Sequence, residues 1–167
     1  MDIQTVFDRI KAELGEEGFE LLPDRPQPAI KVAREKLSDL ARFLKDDSQL
    51  SFEMLTSLSG VDLPENVLRT LYHVYSFEID FMLPLMVDVT REDPATPTVS
   101  DVWPSANWYE RESWDLLGIV YEGHPDLRRI MLPEDWEGHP LRKDFVEKDA
   151  YHGIPTQRDR EWLSWQK

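Results

Sequence analysis

The run from Val67 to Thr90 limits the possible folds more than any other stretch. Val67 to Phe77 reads Val-Leu-Arg-Thr-Leu-Tyr-His-Val-Tyr-Ser-Phe, and its β-branched and aromatic content predicts a strand. Glu78-Ile79-Asp80 forms a turn, and Met82 to Thr90 returns as the hairpin partner. Pro84 within the returning run marks an edge or a bulge, because proline cannot donate to a ladder. Phe52 to Leu63, closed by Pro64-Glu65-Asn66, predicts a further strand just upstream.

Helical stripes precede these strands. Ile3, Val6, Phe7, Ile10 and Leu14 recur at spacings of three and four, which predicts an amphipathic helix ending near Gly15 to Gly18. Leu37, Leu40, Ala41, Phe43 and Leu44 repeat the pattern, and Asp46-Asp47-Ser48 ends it. Between them, Phe19 to Leu22 and Ala29 to Val32 are short strand candidates flanking a loop fixed by Pro23, Pro26 and Pro28. After the hairpin, Asp93 to Pro97 reads as a loop. Ser105 is the expected N-cap of a helix running to about Leu117, with Gly118 just past its end. Beyond Asp144 the periodicity is lost, and the last twenty residues read as a tail.

The composition excludes several chemistries. With 167 residues the chain fits one domain with a real core. It has no cysteine, so disulfides, thiolate-held zinc or iron–sulfur clusters and cysteine nucleophiles are all excluded. A net charge of −14, from 19 Lys+Arg against 33 Asp+Glu, disfavours phosphate backbones and anionic lipid. No apolar run reaches membrane-spanning length, and the chain starts on a helical pattern, so we expect a mature cytoplasmic protein.

The densest chemistry lies between Glu110 and Phe145. Two near-identical turns, Glu122-Gly123-His124-Pro125 and Glu137-Gly138-His139-Pro140, lead into the basic pairs Arg128-Arg129 and Arg142-Lys143. Asp126, Asp135 and Asp144 sit among these cations, with Trp136 and Leu132 between, as on a surface that another molecule covers. Arg111 and Asp115, four apart on the helix, can pair, and Glu112 shares a face with Trp108 and Asp115 on a helix made aromatic by Trp108, Tyr109 and Trp114. A solvated charged face is the plainer account of these three. His124, His139, Asp126 and Asp135 include metal-binding types, but without helical ligand spacing, and Gly-His-Pro is first of all a turn. His73 sits mid-strand and reads as packed or partly exposed. No nucleophile elbow, phosphate loop or dinucleotide fingerprint is present, which favours an interaction role.

These residues resemble a known family. Glu110-Arg111-Glu112, Asp115-Leu116-Leu117-Gly118-Ile119, Gly123-His124-Pro125-Asp126-Leu127, Arg129-Ile130 and Leu132 closely resemble the signature of the C subunit of respiratory-chain NADH dehydrogenase, the thirty-kilodalton subunit of mitochondria. Glu134-Asp135-Trp136-Glu137-Gly138-His139-Pro140-Leu141-Arg142-Lys143-Asp144-Phe145 resembles a second block of that family. Weaker likeness runs through Phe43 to Asp47, Leu58 to Asp62 and Leu71 to Val89. Position 139 is often tyrosine in the family, which speaks against a ligand role for His139, and the C-terminal extension of some members is expected to be shortened here.

The expected fold is α+β: a single two-layer domain, a mixed β-sheet packed with helices, and an extended C-terminal tail. Residues 1–135 are expected as the globular domain and 136–167 as a docking segment anchored by Phe145, Tyr151, Ile154, Trp162, Leu163 and Trp165. The resemblance implies a non-catalytic assembly subunit of the hydrophilic arm of the proton-pumping NADH–quinone oxidoreductase, peripheral on the cytoplasmic side of the inner (cell) membrane. No cofactor is expected on this chain; FMN, iron–sulfur clusters and quinone belong to other subunits. The implied partners are the large quinone-site subunit, lettered D in this complex, and the neighbouring iron–sulfur subunits, with no nucleic acid and only indirect membrane contact. Interface candidates are Glu110, Arg111, Glu112, Asp115, His124, Asp126, Arg129, Asp135, Trp136, Arg142, Lys143 and Asp144. The rivals are the equivalent subunit of a membrane-bound hydrogenase or other-donor oxidoreductase and, from another class, a His/carboxylate metallohydrolase.

Overall fold

The computed structural model describes residues 2–156. Trp162, Leu163 and Trp165, three of the expected tail anchors, lie outside the described residues.

Helix α1 (Ile3–Leu14) starts where Asp2 accepts from the Thr5 N–H at 2.8 Å, satisfying one of the orphan donors of the first turn. Strands β1 (Phe19–Leu22) and β2 (Ala29–Val32) pair antiparallel, and helix α2 (Leu37–Asp46) follows. The expected hairpin is β4 (Val67–Ser76) with β5 (Phe81–Thr90), preceded by β3 (Met54–Asp62). The sheet order is β1-β2-β5-β4-β3, with β2 parallel to β5 and every other neighbour antiparallel. The sheet is therefore mixed, as expected.

Burial in β4 alternates residue by residue. Leu68, Thr70, Tyr72, Val74 and Ser76 turn to one buried face, and Arg69, Leu71, His73 and Tyr75 turn to the other, which is only partly covered. The buried face joins the inner stripes of the helices in one core, with Trp103, Tyr72, Tyr121 and Phe52 as its largest fully buried side chains. This is the two-layer α+β arrangement. Among the described residues no helix is long and apolar enough to cross a membrane.

Four local features differ from expectation or sharpen it. Ala95–Pro97 is not a loop but a short strand, β6, parallel to β7 (Val120–Glu122). Pro84 lies in an interior strand without a register shift; it is tolerated because β2 pairs with β5 only from Leu85 onward, so the strand has a local edge there. The bulge lies instead in β3, between Leu55 and Ser57. Ser105 occupies the N-cap position of helix α3 (Ala106–Leu117), but its hydroxyl donates to the Leu55 carbonyl at 3.3 Å instead of capping the helix.

That last contact belongs to a cover over the outer edge of β3. The Tyr109 hydroxyl donates to Thr56 O at 3.3 Å, so side chains satisfy carbonyls that an edge strand would otherwise expose, and just before the strand the Trp103 indole N–H donates to Phe52 O at 2.8 Å. Further along, α3 lies against Gly60 so closely that an added Cβ would stand 2.5 Å from Leu117 Cδ1 and 2.6 Å from Ser113 Oγ. We expect Gly60→Ala to push helix from strand and lower stability by about 1–3 kcal/mol; a urea midpoint equal to wild type would show that α3 yields without strain.

Candidate interaction site

Helix α3 carries the site because its faces meet different surroundings. Ala106, Glu110, Ser113 and Leu117, spaced four, three and four apart, are all buried. Arg111 and Asp115 are buried on an adjoining face, while Glu112 is exposed. The expected Arg111–Asp115 pair does not form. Arg111 donates from Nε to the Arg128 carbonyl at 3.2 Å and lies 5.1 Å from the Trp108 ring centre.

Asp115 instead organises the loop that follows. Its Oδ2 accepts three consecutive backbone N–H groups, from Ile130 at 3.0 Å, Met131 at 2.8 Å and Leu132 at 3.0 Å. Its Oδ1 accepts from Arg129 Nη1 at 2.5 Å. Burial alone would raise the Asp115 pKa, but the hydrogen bonds from Leu132, Arg129, Met131 and Ile130 outweigh it and hold the carboxyl below the usual aspartate value. Arg129 reaches onward from Nη2 to the Trp136 carbonyl at 2.8 Å and the Gly138 carbonyl at 3.2 Å, and its guanidinium lies 5.6 Å from the Trp114 ring centre.

The C-terminus of α3 has orphan carbonyls, and the second turn supplies their donors. Gly118 ends the helix at φ +73, as expected of a residue that must enter the left-handed region. Leu141 N–H donates to Leu116 O at 3.0 Å, and Arg142 donates from Nε to Leu117 O at 2.5 Å and from Nη2 to Gly118 O at 3.3 Å. His139 Nδ1 lies 3.0 Å from Asp115 O, so that nitrogen carries the proton and donates. Burial lowers the His139 pKa, with the Arg142 and Arg129 charges adding to it, which keeps the ring neutral at neutral pH. Two cations at a helix C-terminus also complement its dipole. Lys143 N–H then donates to Asp62 Oδ2 at 2.7 Å, and Arg91 binds the other oxygen of Asp62. Arg142, one of the expected interface candidates, is thus engaged within the chain.

Glu110 is the unusual group. It is fully buried, and no lysine or arginine pairs with it among the described residues. Its Oε1 accepts from Val99 N–H at 2.8 Å and its Oε2 from the Thr98 hydroxyl at 2.5 Å. His124 Nε2 lies 3.9 Å from Oε2. That nitrogen sits 3.1 Å from the Asn107 carbonyl while Nδ1 accepts from Asp126 N–H at 3.0 Å, so Nε2 carries the proton of the neutral ring. Burial pushes the Glu110 pKa up to about 7, against the two hydrogen bonds, with Asp101 adding a smaller repulsion.

The remaining candidates are dispersed. Asp126 pairs with Arg128 at 2.9 Å on the surface, where such a pair contributes little. Asp135 accepts from the Tyr151 hydroxyl at 2.7 Å and lies 2.6 Å from His152 Nε2. Trp136 packs on Tyr151 with ring centres 5.2 Å apart, and Asp144 is exposed. Of the four residues weighed as metal ligands only His124 and Asp126 meet, through the Asp126 backbone N–H, and among the described residues no group of three or more His, Cys, Asp or Glu is placed to hold a metal ion. Thr98, Asp62 and Arg91 were not singled out in sequence; Asp62 stood only at the end of a weak likeness.

These contacts describe an α+β domain whose charged signature fastens a long loop to the end and flank of one helix. Comparison with known proteins then identifies the family. Residues 30–151 match the family described as respiratory-chain NADH dehydrogenase, 30 kDa subunit. The C subunit of the NADH-quinone oxidoreductase of Roseiflexus sp. is 42% identical over 146 residues, covering 86% of this chain and 84% of that one. The corresponding protein of Acidothermus cellulolyticus is 47% identical over 137 residues, covering 80% and 69%. A combined C/D subunit of Ectopseudomonas mendocina is 41% identical over 155 residues, covering 87% of this chain and 26% of that one. Among solved structures, the trypsin-resistant fragment of Nqo5 matches with TM-score 0.61 at 30% identity, over 76% of this chain and all of the fragment. A chain of a membrane-bound sulfane sulfur reductase, an archaeal respiratory membrane complex, shares the fold with TM-score 0.71 at 24% identity, over 86% of this chain and 85% of that one. The chain belongs to the 30 kDa subunit family of respiratory NADH dehydrogenase, the family of the C subunit of NADH–quinone oxidoreductase.

Proposed function

We propose that this chain is a non-catalytic docking subunit of the hydrophilic arm of an NADH–quinone oxidoreductase, seated against the large quinone-site subunit. The Ectopseudomonas mendocina relative carries this reading: there the matching module accounts for 26% of a protein named for both C and D. A module joined covalently to its neighbour in one organism is one that can work packed against that neighbour in another. The geometry agrees, since the side chains of Asp115, Arg129, His139 and Arg142 are all bonded to backbone groups that shape one loop. FMN, iron–sulfur clusters and quinone would then sit on other subunits, and the membrane would be met only through them.

In this reading 136–167 is the docking segment. Within it His139, Leu141 and Arg142 are already bonded to the C-terminal end of α3, and Val146 and Ile154, 84% and 69% exposed, are apolar side chains for a partner to cover. The test is affinity purification from native membranes together with spectroscopy of the isolated chain. The quinone-site subunit should co-purify, and the chain alone should show no flavin or iron–sulfur absorbance and no NADH oxidation. Recovery of the chain without that subunit, or a chromophore on it, would overturn the proposal.

A further inference from the structure

We infer that the middle of the β3 edge is a strand-addition site, taking a short extended segment of a partner subunit that carries an apolar side chain next to a basic one. The inference rests on the docking role proposed above and names the surface and the chemistry of its occupant.

Strand β3 is the outer strand of the sheet. The Leu63 N–H bond to Val67 O, 2.9 Å, sets the phase of the β3–β4 ladder. Counting back in twos, Val61 and Ser59 face β4, so Leu58 and Gly60 direct their N–H and C=O groups away from the sheet. The edge is covered at both ends. Ser105 and Tyr109 bind the Leu55 and Thr56 carbonyls on one side, and Lys143 N–H binds Asp62 on the other. Between these covers a hollow of about 180 Å³ opens, walled by Leu116, Leu117 and Leu141, with Leu58 to Gly60 along its floor. Leu141 is 59% exposed at its rim.

Glu112 stands at the same rim, exposed and with no partner among the described residues. Its neighbours in the signature, Glu110 and Arg111, are both used inside the chain. Outward-facing edge backbone with a leucine-walled hollow beside it matches peptide recognition by strand addition, in which main-chain bonds give affinity and pockets give selectivity; the Glu112 carboxylate at the rim adds selectivity for a basic side chain. A chain of net charge −14 also favours a cationic partner.

The test uses the lack of cysteine, which makes an introduced thiol unique. Ser59→Cys, at the exposed floor of the hollow, is compared with Glu13→Cys on α1 for labelling by a small maleimide, in the free chain and in the assembled complex. Ser59→Cys should label readily in the free chain and at least tenfold more slowly in the complex, while Glu13→Cys should label rapidly in the free chain. Adding Glu112→Lys should restore labelling of Ser59→Cys in the complex at least threefold, and Glu112→Gln less. Equal labelling of Ser59→Cys free and assembled would overturn the inference, as would protection already present in the free chain, which would assign the hollow to the chain's own remaining residues. Protection indifferent to Glu112→Lys would overturn the basic occupant. If the chain does not assemble with the complex at all, the proposed function fails; if it assembles and Ser59→Cys stays reactive, only this inference fails.

Discussion

Asp115→Ala should destabilise the isolated chain by about 3–5 kcal/mol, the range for stranding one partner of a buried ion pair. The Asp115 side chain is fully buried and that of Arg129 is 13% exposed, so truncation leaves a guanidinium out of water without its carboxylate. It also leaves the N–H groups of Ile130, Met131 and Leu132 without their acceptor. Arg111→Ala should lose less, about 1–2 kcal/mol, because only one carbonyl contact and the stacking on Trp108 go. Double-mutant cycles by urea unfolding separate the two arginines. Asp115 with Arg129 should show a coupling above about 1 kcal/mol, whereas Asp115 with Arg111 should be additive within about 0.5 kcal/mol. A strong Arg111 coupling with a weak Arg129 coupling would restore the helical pair that spacing alone suggested.

That contrast shows where sequence reasoning reached and where it stopped. The β4–β5 hairpin was legible because β-branched and aromatic residues run along β4 up to a short turn and resume after it. The stripes of α1 and α2 were legible because their apolar residues recur at helical period. Strand β6 was not: its three residues end in proline, and its parallel partner β7 lies some twenty-five residues later, beyond any local pattern. The Asp115 contacts were invisible for a related reason, since i to i+4 rules see only one helix and the partners come from residues 129–132. Glu110 and Glu112 differ only in helical phase, yet one is buried and the other exposed. The Ala106, Glu110, Ser113, Leu117 spacing was the available signal, because it places Glu110 in line with apolar residues that face the core.

Glu110→Gln should stabilise the protein at alkaline pH and leave it nearly unchanged in mild acid. The folded-state pKa of about 7 lies above the ordinary 4.5 of glutamate, so between these values the folded chain holds a proton that the unfolded chain has released. Stability from this group is therefore complete below about pH 4.5, declines as pH rises toward 7, and is then lost at a constant level. A shift of this size corresponds to about 3 kcal/mol. The geometry accommodates the protonated form: Oε2–H can donate to Thr98 Oγ, and Thr98 can turn its own hydrogen to Ser100 Oγ, 2.8 Å away. The charges that face Glu110 do not rescue the ionised form. Asp101 repels it, Tyr121 is itself pushed toward the neutral form by burial, and His124 donates to Asn107. Glutamine keeps an acceptor for Val99 N–H and offers Thr98 a donor, so it copies the neutral acid at every pH. Urea unfolding of both proteins from pH 5 to 8.5 should give curves that coincide near pH 5 and separate by about 2–3 kcal/mol above pH 7.5, with the variant the more stable. Parallel curves across that range would mean that Glu110 ionises without penalty, and that the link from α3 to the Thr98–Val99 turn does not depend on its proton.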